Sequence, residues 1–224
     1  MQRISLVIFD LDGTLSRTNE LIYESFNHVA VKYLHRVFTL PEITGMFGPP
    51  EEVAIEKLVG SGKTEAALDD FYEFYAKHHT RLAAPYEGIR EILDFLKSQG
   101  IVLAIFTGKG KRTALITLDA IGLKHYFDLV VTGTDVANYK PSGDGIRNVL
   151  GRLGLPPGEA LMVGDSVSDI KAARDAGVSI AAVVWDSYAK DRVLEMGVAD
   201  VFHSVGEFSD WLKKTVSGNG NRLT

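Results

Sequence analysis

Short apolar runs, nearly continuous, recur along the chain at Ile4 to Phe9, Ile101 to Phe106, Leu129 to Val131, Ala160 to Val163 and Ile180 to Val184. A strand wetted on one face alternates apolar with polar residues, so continuous runs of this length predict strands covered on both faces, as in a parallel sheet. Between them lie helical patterns at Gly88 to Ser98, Lys111 to Ile121, Gly145 to Leu153, Ser168 to Ala176 and Tyr188 to Met196. Each predicts a helix long enough for the right-handed crossover that joins neighbouring parallel strands. The expected fold class is therefore α/β, with a doubly wound, Rossmann-like parallel sheet as its core.

One stretch breaks the alternation. From about Arg17 to Leu82 no strand pattern appears, only helical ones around Glu20 to His35, Glu51 to Val59 and Glu65 to Arg81. Pro41, Gly45, Gly48, Pro49, Pro50, Gly60 and Gly62 punctuate the stretch into several helices. The expected organisation is an α/β core from residues 1–16 and 83–215, an all-helical cap from 17–82 inserted after the first strand, and a frayed polar tail from 216–224. Pro85 marks the return to the core.

Composition narrows the possible functions. The 224 residues are 46% hydrophobic and 24% charged, which excludes wholesale disorder and fits a soluble globular protein. A formal net charge of −5 supplies no electrostatic footprint for nucleic acid or for an anionic membrane. There is no cysteine, so disulfides, thiolate metal sites and cysteine nucleophiles are excluded, in keeping with a reducing compartment. The first apolar run is broken by Asp10 and Asp12, too early for a signal peptide or a spanning helix, and the expected location is cytoplasmic. The sequence assigns no oligomeric state.

Ligands of open α/β sheets bind beyond the carboxyl ends of the strands. Asp10-Leu11-Asp12-Gly13-Thr14 follows the first strand directly, and with i, i+2 spacing on extended backbone the two carboxylates point the same way. Three further polar points follow later strands: Thr107-Gly108, Lys140-Pro141 and the run from Gly164 to Asp169. Taken singly, Asp12-Gly13, Thr107-Gly108 and Lys140-Pro141 read as ordinary turns. Taken in order, four strand ends converge on one face.

These residues resemble the motifs of the haloacid dehalogenase superfamily of phosphohydrolases: the first motif in Asp10, Asp12, Gly13 and Thr14, the second in Thr107, the third in Lys140, the fourth in Asp165 and Asp169. The helical insert is similar to the cap that such proteins carry between the first and second motifs. Among them, the chain most resembles small-molecule phosphatases of the phosphoglycolate phosphatase type. The resemblance implies a phosphomonoesterase acting on a small phosphorylated metabolite. Asp10 would be the nucleophile that forms an aspartyl phosphate, and Asp12 the acid and base. Thr107 and Gly108 would contact the phosphoryl oxygens, with Lys140 neutralising charge and orienting Asp10. A carboxylate with an ordinary pKa near 3.9 is ionised at pH 7, so Asp10 needs no separate base.

Four carboxylates and a phosphate against the single Lys140 demand a divalent cation. The candidate ligands are hard oxygens, which favours Mg2+ over zinc. By resemblance Asp10, Asp165 and the main-chain carbonyl of Asp12 would hold it, with Asp169 supporting through water or hydrogen bonds. The sequence departs from the family pattern at Ser142-Gly143-Asp144-Gly145, where a second proline and an acid are common. It departs again at Ser16-Arg17-Thr18-Asn19, where an Asp-Ser pair is common.

Phe47-Gly48-Pro49-Pro50 resembles the loop that such caps aim at the site, so Gly48 and Pro49 are candidate specificity residues. Gly60-Ser61-Gly62-Lys63-Thr64 mimics the end of a P-loop, but Lys57 stands where the first glycine belongs. His78 and His79 point about 100° apart on a helix and read as a solvated face. Phe71, Tyr72, Phe74 and Tyr75 read as packing of the insert's own core, with Tyr72 or Tyr75 as the less favoured substrate contacts.

Within the superfamily, pyrophosphatase and sugar phosphomutase are the alternatives. A dehalogenase is disfavoured because Asp12 supplies the second acid that those enzymes lack. A phospho-receiver signalling domain would carry its phosphorylated Asp on a later strand and has no place for the insert.

Overall fold

The computed structural model describes residues 3–217. In chain order the strands are β1 (Leu6–Phe9), β2 (Ser16–Arg17), β3 (Ala84–Pro85), β4 (Val102–Phe106), β5 (Leu129–Val131), β6 (Ala160–Gly164), β7 (Ser179–Val183) and β8 (Asp200–Phe202). The helices are α1 (Asn19–Leu34), α2 (Leu40–Thr44), α3 (Glu51–Val59), α4 (Thr64–Leu82), α5 (Ile89–Ser98), α6 (Lys111–Ala120), α7 (Asp144–Leu153), α8 (Val167–Asp175), α9 (Lys190–Leu194) and α10 (Val205–Ser217).

Six strands form one parallel sheet in the order β5-β4-β1-β6-β7-β8. The continuous apolar runs are explained by burial on both faces. Val7, Phe9, Leu103, Ile105, Leu161 and Val163 pack on one side with α5, α6 and α10, and Leu6, Ile8, Ala104, Phe106 and Met162 on the other with α7 and α8. Successive side chains of a strand face opposite ways, so each run feeds both cores. The chain leaves β1 toward β4 and β5, then returns to build β6 on its other side. This reversal sets the carboxyl ends of β1 and β6 next to each other, where an open α/β sheet binds its ligand.

Between β2 and β3, which pair antiparallel, helices α1 to α4 enclose a separate apolar cluster including Leu21, Phe26, Ile43, Ile55, Phe71 and Tyr75. Gly60 ends α3 at φ 78°, a conformation that costs glycine nothing.

Three elements differ from the sequence expectation. Strand β8 and helix α10 extend the core at its far edge: β8 is too short to show a pattern, while α10 anchors through Phe208 and Leu212. The helix expected over Tyr188 to Met196 is confined to α9. The expected tail begins inside α10, which runs to Ser217, and its remainder lies outside the described residues. His79 is also a correction: it is buried, with Nε2 3.1 Å from Thr117 Oγ1, because α4 packs that side on α6. Phe71, Tyr72 and Tyr75 pack the insert's core as expected, while the Ser61–Lys63 turn leads into α4 on the surface.

Candidate active site

Asp10 is the first residue beyond β1, and its N–H donates to the Val163 carbonyl at 2.8 Å, so the main-chain ladder to β6 fixes its position. Thr107 is fixed in the same way beyond β4 by donating to Val131 at 3.1 Å. Lys140 lies in the segment between β5 and α7, and Asp165 and Asp169 flank the start of α8. The four strand ends therefore meet.

Lys140 Nζ stands 2.9 Å from Asp10 Oδ1 and 2.6 Å from Asp169 Oδ1, with 4% of its side chain exposed. Burial acts to lower its pKa, but the charges of Asp10 and Asp169 outweigh it and hold the lysine above its ordinary value. Asp169 is fully buried, and its second oxygen accepts from the Ser166 N–H at 3.0 Å and the Ser166 hydroxyl at 2.6 Å, a reciprocal cap on α8. Both of its oxygens are thus engaged by protein donors. The Asp165 carboxylate accepts, among the described residues, only a long bond from Thr14 Oγ1, at 3.3 Å, while its carbonyl accepts from the Ser187 hydroxyl at 2.6 Å. Gly13 lies against it at φ 77°, where an added Cβ would sit 2.5 Å from Asp165 Oδ2, so glycine is required both by conformation and by space.

One oxygen each of Asp10, Asp165 and Asp169 lies within 4.8 Å of the others. Burial raises the Asp10 pKa to about 7, with Lys140 opposing and Asp169 adding to the rise. Asp165 is also raised well above the ordinary range, by burial and then by the charges of Asp169 and Asp10. Asp10 Oδ1 is buried and is paired with the Lys140 ammonium. Concentrated hard oxygens and carboxylates penalised for being charged fit a magnesium ion.

Asp12 faces the same cavity but has different partners. Its Oδ1 accepts from Thr18 Oγ1 at 2.5 Å and its Oδ2 from Lys109 Nζ at 3.0 Å. Lys109 is itself almost fully buried, with Nζ 4.9 Å from the centre of the Tyr75 ring. Burial would lower the lysine's pKa, but Asp12, Tyr75 and Glu51 together raise it. Glu51, at the start of α3, accepts from the Gly110 N–H at 2.7 Å and from the Thr113 hydroxyl. The insert thereby holds the residue at which α6 begins and a side chain of its first turn. Burial raises the Glu51 pKa and Lys109 opposes the rise.

Asp10, Asp12, Thr107, Gly108, Lys140, Asp165, Gly48 and Pro49 all line one cavity of about 120 Å³. Gly48 and Gly108 approach closely: a Cβ on Gly108 would meet the Gly48 carbonyl at 3.2 Å. Ile22, Phe26, Phe71 and Phe47 form its apolar wall. Phe47 and Tyr188 pack edge to face with ring centres 5.3 Å apart, between this cavity and a neighbouring groove. The insert contributes Phe71 to the lining rather than Tyr72 or Tyr75.

The family model for haloacid dehalogenase-like hydrolase matches residues 7–183. The chain belongs to this family. This haloacid dehalogenase-like hydrolase is 35% identical over 213 residues to pyrophosphatase PpaX of Bacillus velezensis, covering 92% of the chain and 98% of the relative. It is 38% identical over 183 residues to pyrophosphatase PpaX of Bacillus cereus, with coverage of 82% and 84%. Among solved structures it is similar to a protein assigned as a phosphoglycolate phosphatase from Haemophilus somnus, at 25% identity and a TM-score of 0.81, covering 96% of the chain and 99% of the other. A protein assigned as a β-phosphoglucomutase from Thermotoga maritima matches at 30% identity and a TM-score of 0.74, with coverage of 94% and 99%.

Sequence reasoning missed two residues of the hydrolase's site, Lys109 and Glu51. Lys109 sits in Thr107-Gly108-Lys109-Gly110-Lys111, which reads as a solvated turn, and Glu51 in an acidic pair that favours any helix N-terminus. No local signal separates them from surface charges.

Proposed function

We propose that this hydrolase is a magnesium-dependent phosphatase that transfers the phosphoryl group of a small phosphorylated substrate to Asp10 and then to water. The observation that carries the reading is the pairing of two unlike carboxylates in one cavity. Asp10 is buried against Lys140 and Asp165, while Asp12 is held apart by Thr18 and Lys109. An Asp10 oxygen attacks phosphorus as the bond to the leaving oxygen breaks, and Asp12 donates a proton to that oxygen. Water then attacks phosphorus and gives a proton to Asp12 as the bond from phosphorus to the Asp10 oxygen breaks, which frees inorganic phosphate, returns Asp10 to its carboxylate and leaves Asp12 protonated as at the start. Thr107, Gly108 and Lys140 bind and orient the phosphoryl oxygens.

Asp10, Asp165 and the main chain of Asp12 would hold the Mg2+, with Asp169 kept in place by Lys140 and Ser166. When bound, the ion supplies positive charge to the phosphoryl oxygens. The insert, acting as a cap, excludes water and sets specificity through Gly48, Pro49 and its apolar wall. Compact substrates such as pyrophosphate or phosphoglycolate suit a cavity well below the 300–1,000 Å³ of sites for drug-sized ligands. The identity to PpaX favours pyrophosphate.

The test is hydrolysis of p-nitrophenyl phosphate with Mg2+, with chelator, and by Asp10→Asn. Activity that requires magnesium and disappears in the variant is expected, together with a phosphoryl adduct on Asp10 in acid-quenched wild type. Full activity of Asp10→Asn would overturn the mechanism.

A further inference from the structure

Two lysines line the cavity, and they are not equivalent. Lys140 is engaged on two sides by Asp10 and Asp169, with the Phe106 ring 4.9 Å from its Nζ. Among the described residues Lys109 makes one ion pair, to Asp12, and its Nζ otherwise lies 4.9 Å from the centre of the Tyr75 ring. An ammonium has three N–H donors, and an aromatic face attracts its charge through the ring quadrupole. Lys109 therefore retains donor capacity for a ligand that enters the cavity.

We propose that Lys109 is a specificity-determining residue that recognises a second negative charge, carried by the part of the substrate that leaves. The proposal rests on the phosphatase reading above. If Asp12 protonates the leaving oxygen, the atoms next to that oxygen come within reach of the cation 3.0 Å from Asp12 Oδ2. Those atoms also meet an environment hostile to any other anion. Asp10, Asp12, Asp165 and Glu51 all line the cavity or its rim, and Ile22, Phe26, Phe47 and Phe71 offer no charge. A second anion at this place is tolerated only beside Lys109. The side chain is 6% exposed, so its charge is little screened by water. The substrate class is a compact phosphate whose leaving group is itself an anion: a second phosphate, or a short carboxylic acid.

The experiment compares kcat/KM for pyrophosphate, phosphoglycolate and p-nitrophenyl phosphate in wild type, Lys109→Met and Lys109→Arg, all with Mg2+. A hydrogen bond to a charged group contributes about 1.5–3 kcal/mol. The preference of wild type for its better anionic substrate over p-nitrophenyl phosphate should therefore fall roughly 10- to 100-fold in Lys109→Met. Lys109→Arg keeps the charge and should keep most of the preference, even where its absolute rates drop. Equal losses of Lys109→Met on all three substrates would overturn the proposal, because Lys109 would then serve only to hold Asp12. A wild type that prefers p-nitrophenyl phosphate to both anions would also overturn it while leaving the phosphatase reading intact. A wild type inactive on all three substrates would overturn both.

Discussion

Asp10 is positioned at a cost to stability, and that cost is measurable. In the metal-free protein its pKa is raised to about 7, chiefly by burial, from an ordinary carboxylate value of 3.8. A carboxyl group with a raised folded-state pKa contributes its full stability below pH 4. It loses that stability as pH rises through the window up to about 7, because the folded state there binds a proton that the unfolded chain has released. Three pKa units correspond to about 4 kcal/mol. For a chain of this size that is roughly 10 °C in Tm. Asp10→Asn removes the titration and keeps the shape. In chelator, thermal unfolding followed by circular dichroism should show the variant and wild type melting within about 2–4 °C of each other near pH 4.5, with the variant roughly 10 °C higher at pH 7.5. Magnesium should close most of that gap by binding wild type, since a ligand that prefers the folded state raises Tm. A difference between the two proteins that does not change with pH would refute the assignment of the cost to a buried charge.

Three other outcomes follow from the same geometry. Lys140→Met leaves the Asp10 and Asp169 carboxylates without their buried cation and should lower kcat for p-nitrophenyl phosphate by at least about 100-fold, read in steady-state assays. Gly13→Ala forces a Cβ toward Asp165 Oδ2 at positive φ, and magnesium titration of the activity should show about 10- to 100-fold weaker affinity. Glu51→Ala strips the acceptor from the Gly110 N–H and the Thr113 hydroxyl and should destabilise by about 2–3 kcal/mol in denaturant melts, whereas an exposed control such as Glu24→Ala should stay within about 0.5 kcal/mol.

Asp10, Thr107, Lys140 and Asp165 were legible in the sequence because each stands at or beyond the end of an apolar run or in the loop that follows one, and a parallel sheet collects such positions along one edge. Their partners Ser166 and Thr14 lie beside them in the chain. Lys109 and Glu51 were not legible, since their burial is produced by α3 and α4 settling on α6, and Glu51 meets Gly110 across 59 positions of chain. His79 was misread for the same reason: helical periodicity tells which side chains share a face, while the partner for that face is set by tertiary packing. Strand β8 carries too few residues for a period to show, and it gains its place only by pairing with β7.

The bond from Gly110 to Glu51 also bears on how separable the two parts of the molecule are. Helix α6 starts just after the turn that carries Thr107 and Gly108, and the amide of Gly110, the residue before it, is completed by a carboxylate from the inserted segment. A truncated protein joined directly from Arg17 to Ala84 would keep every motif of the core. It would nevertheless begin α6 with an unanswered donor at the very turn that lines the cavity. The insert is thus a structural component of the core's own secondary structure, and deleting it would test folding before it tested specificity.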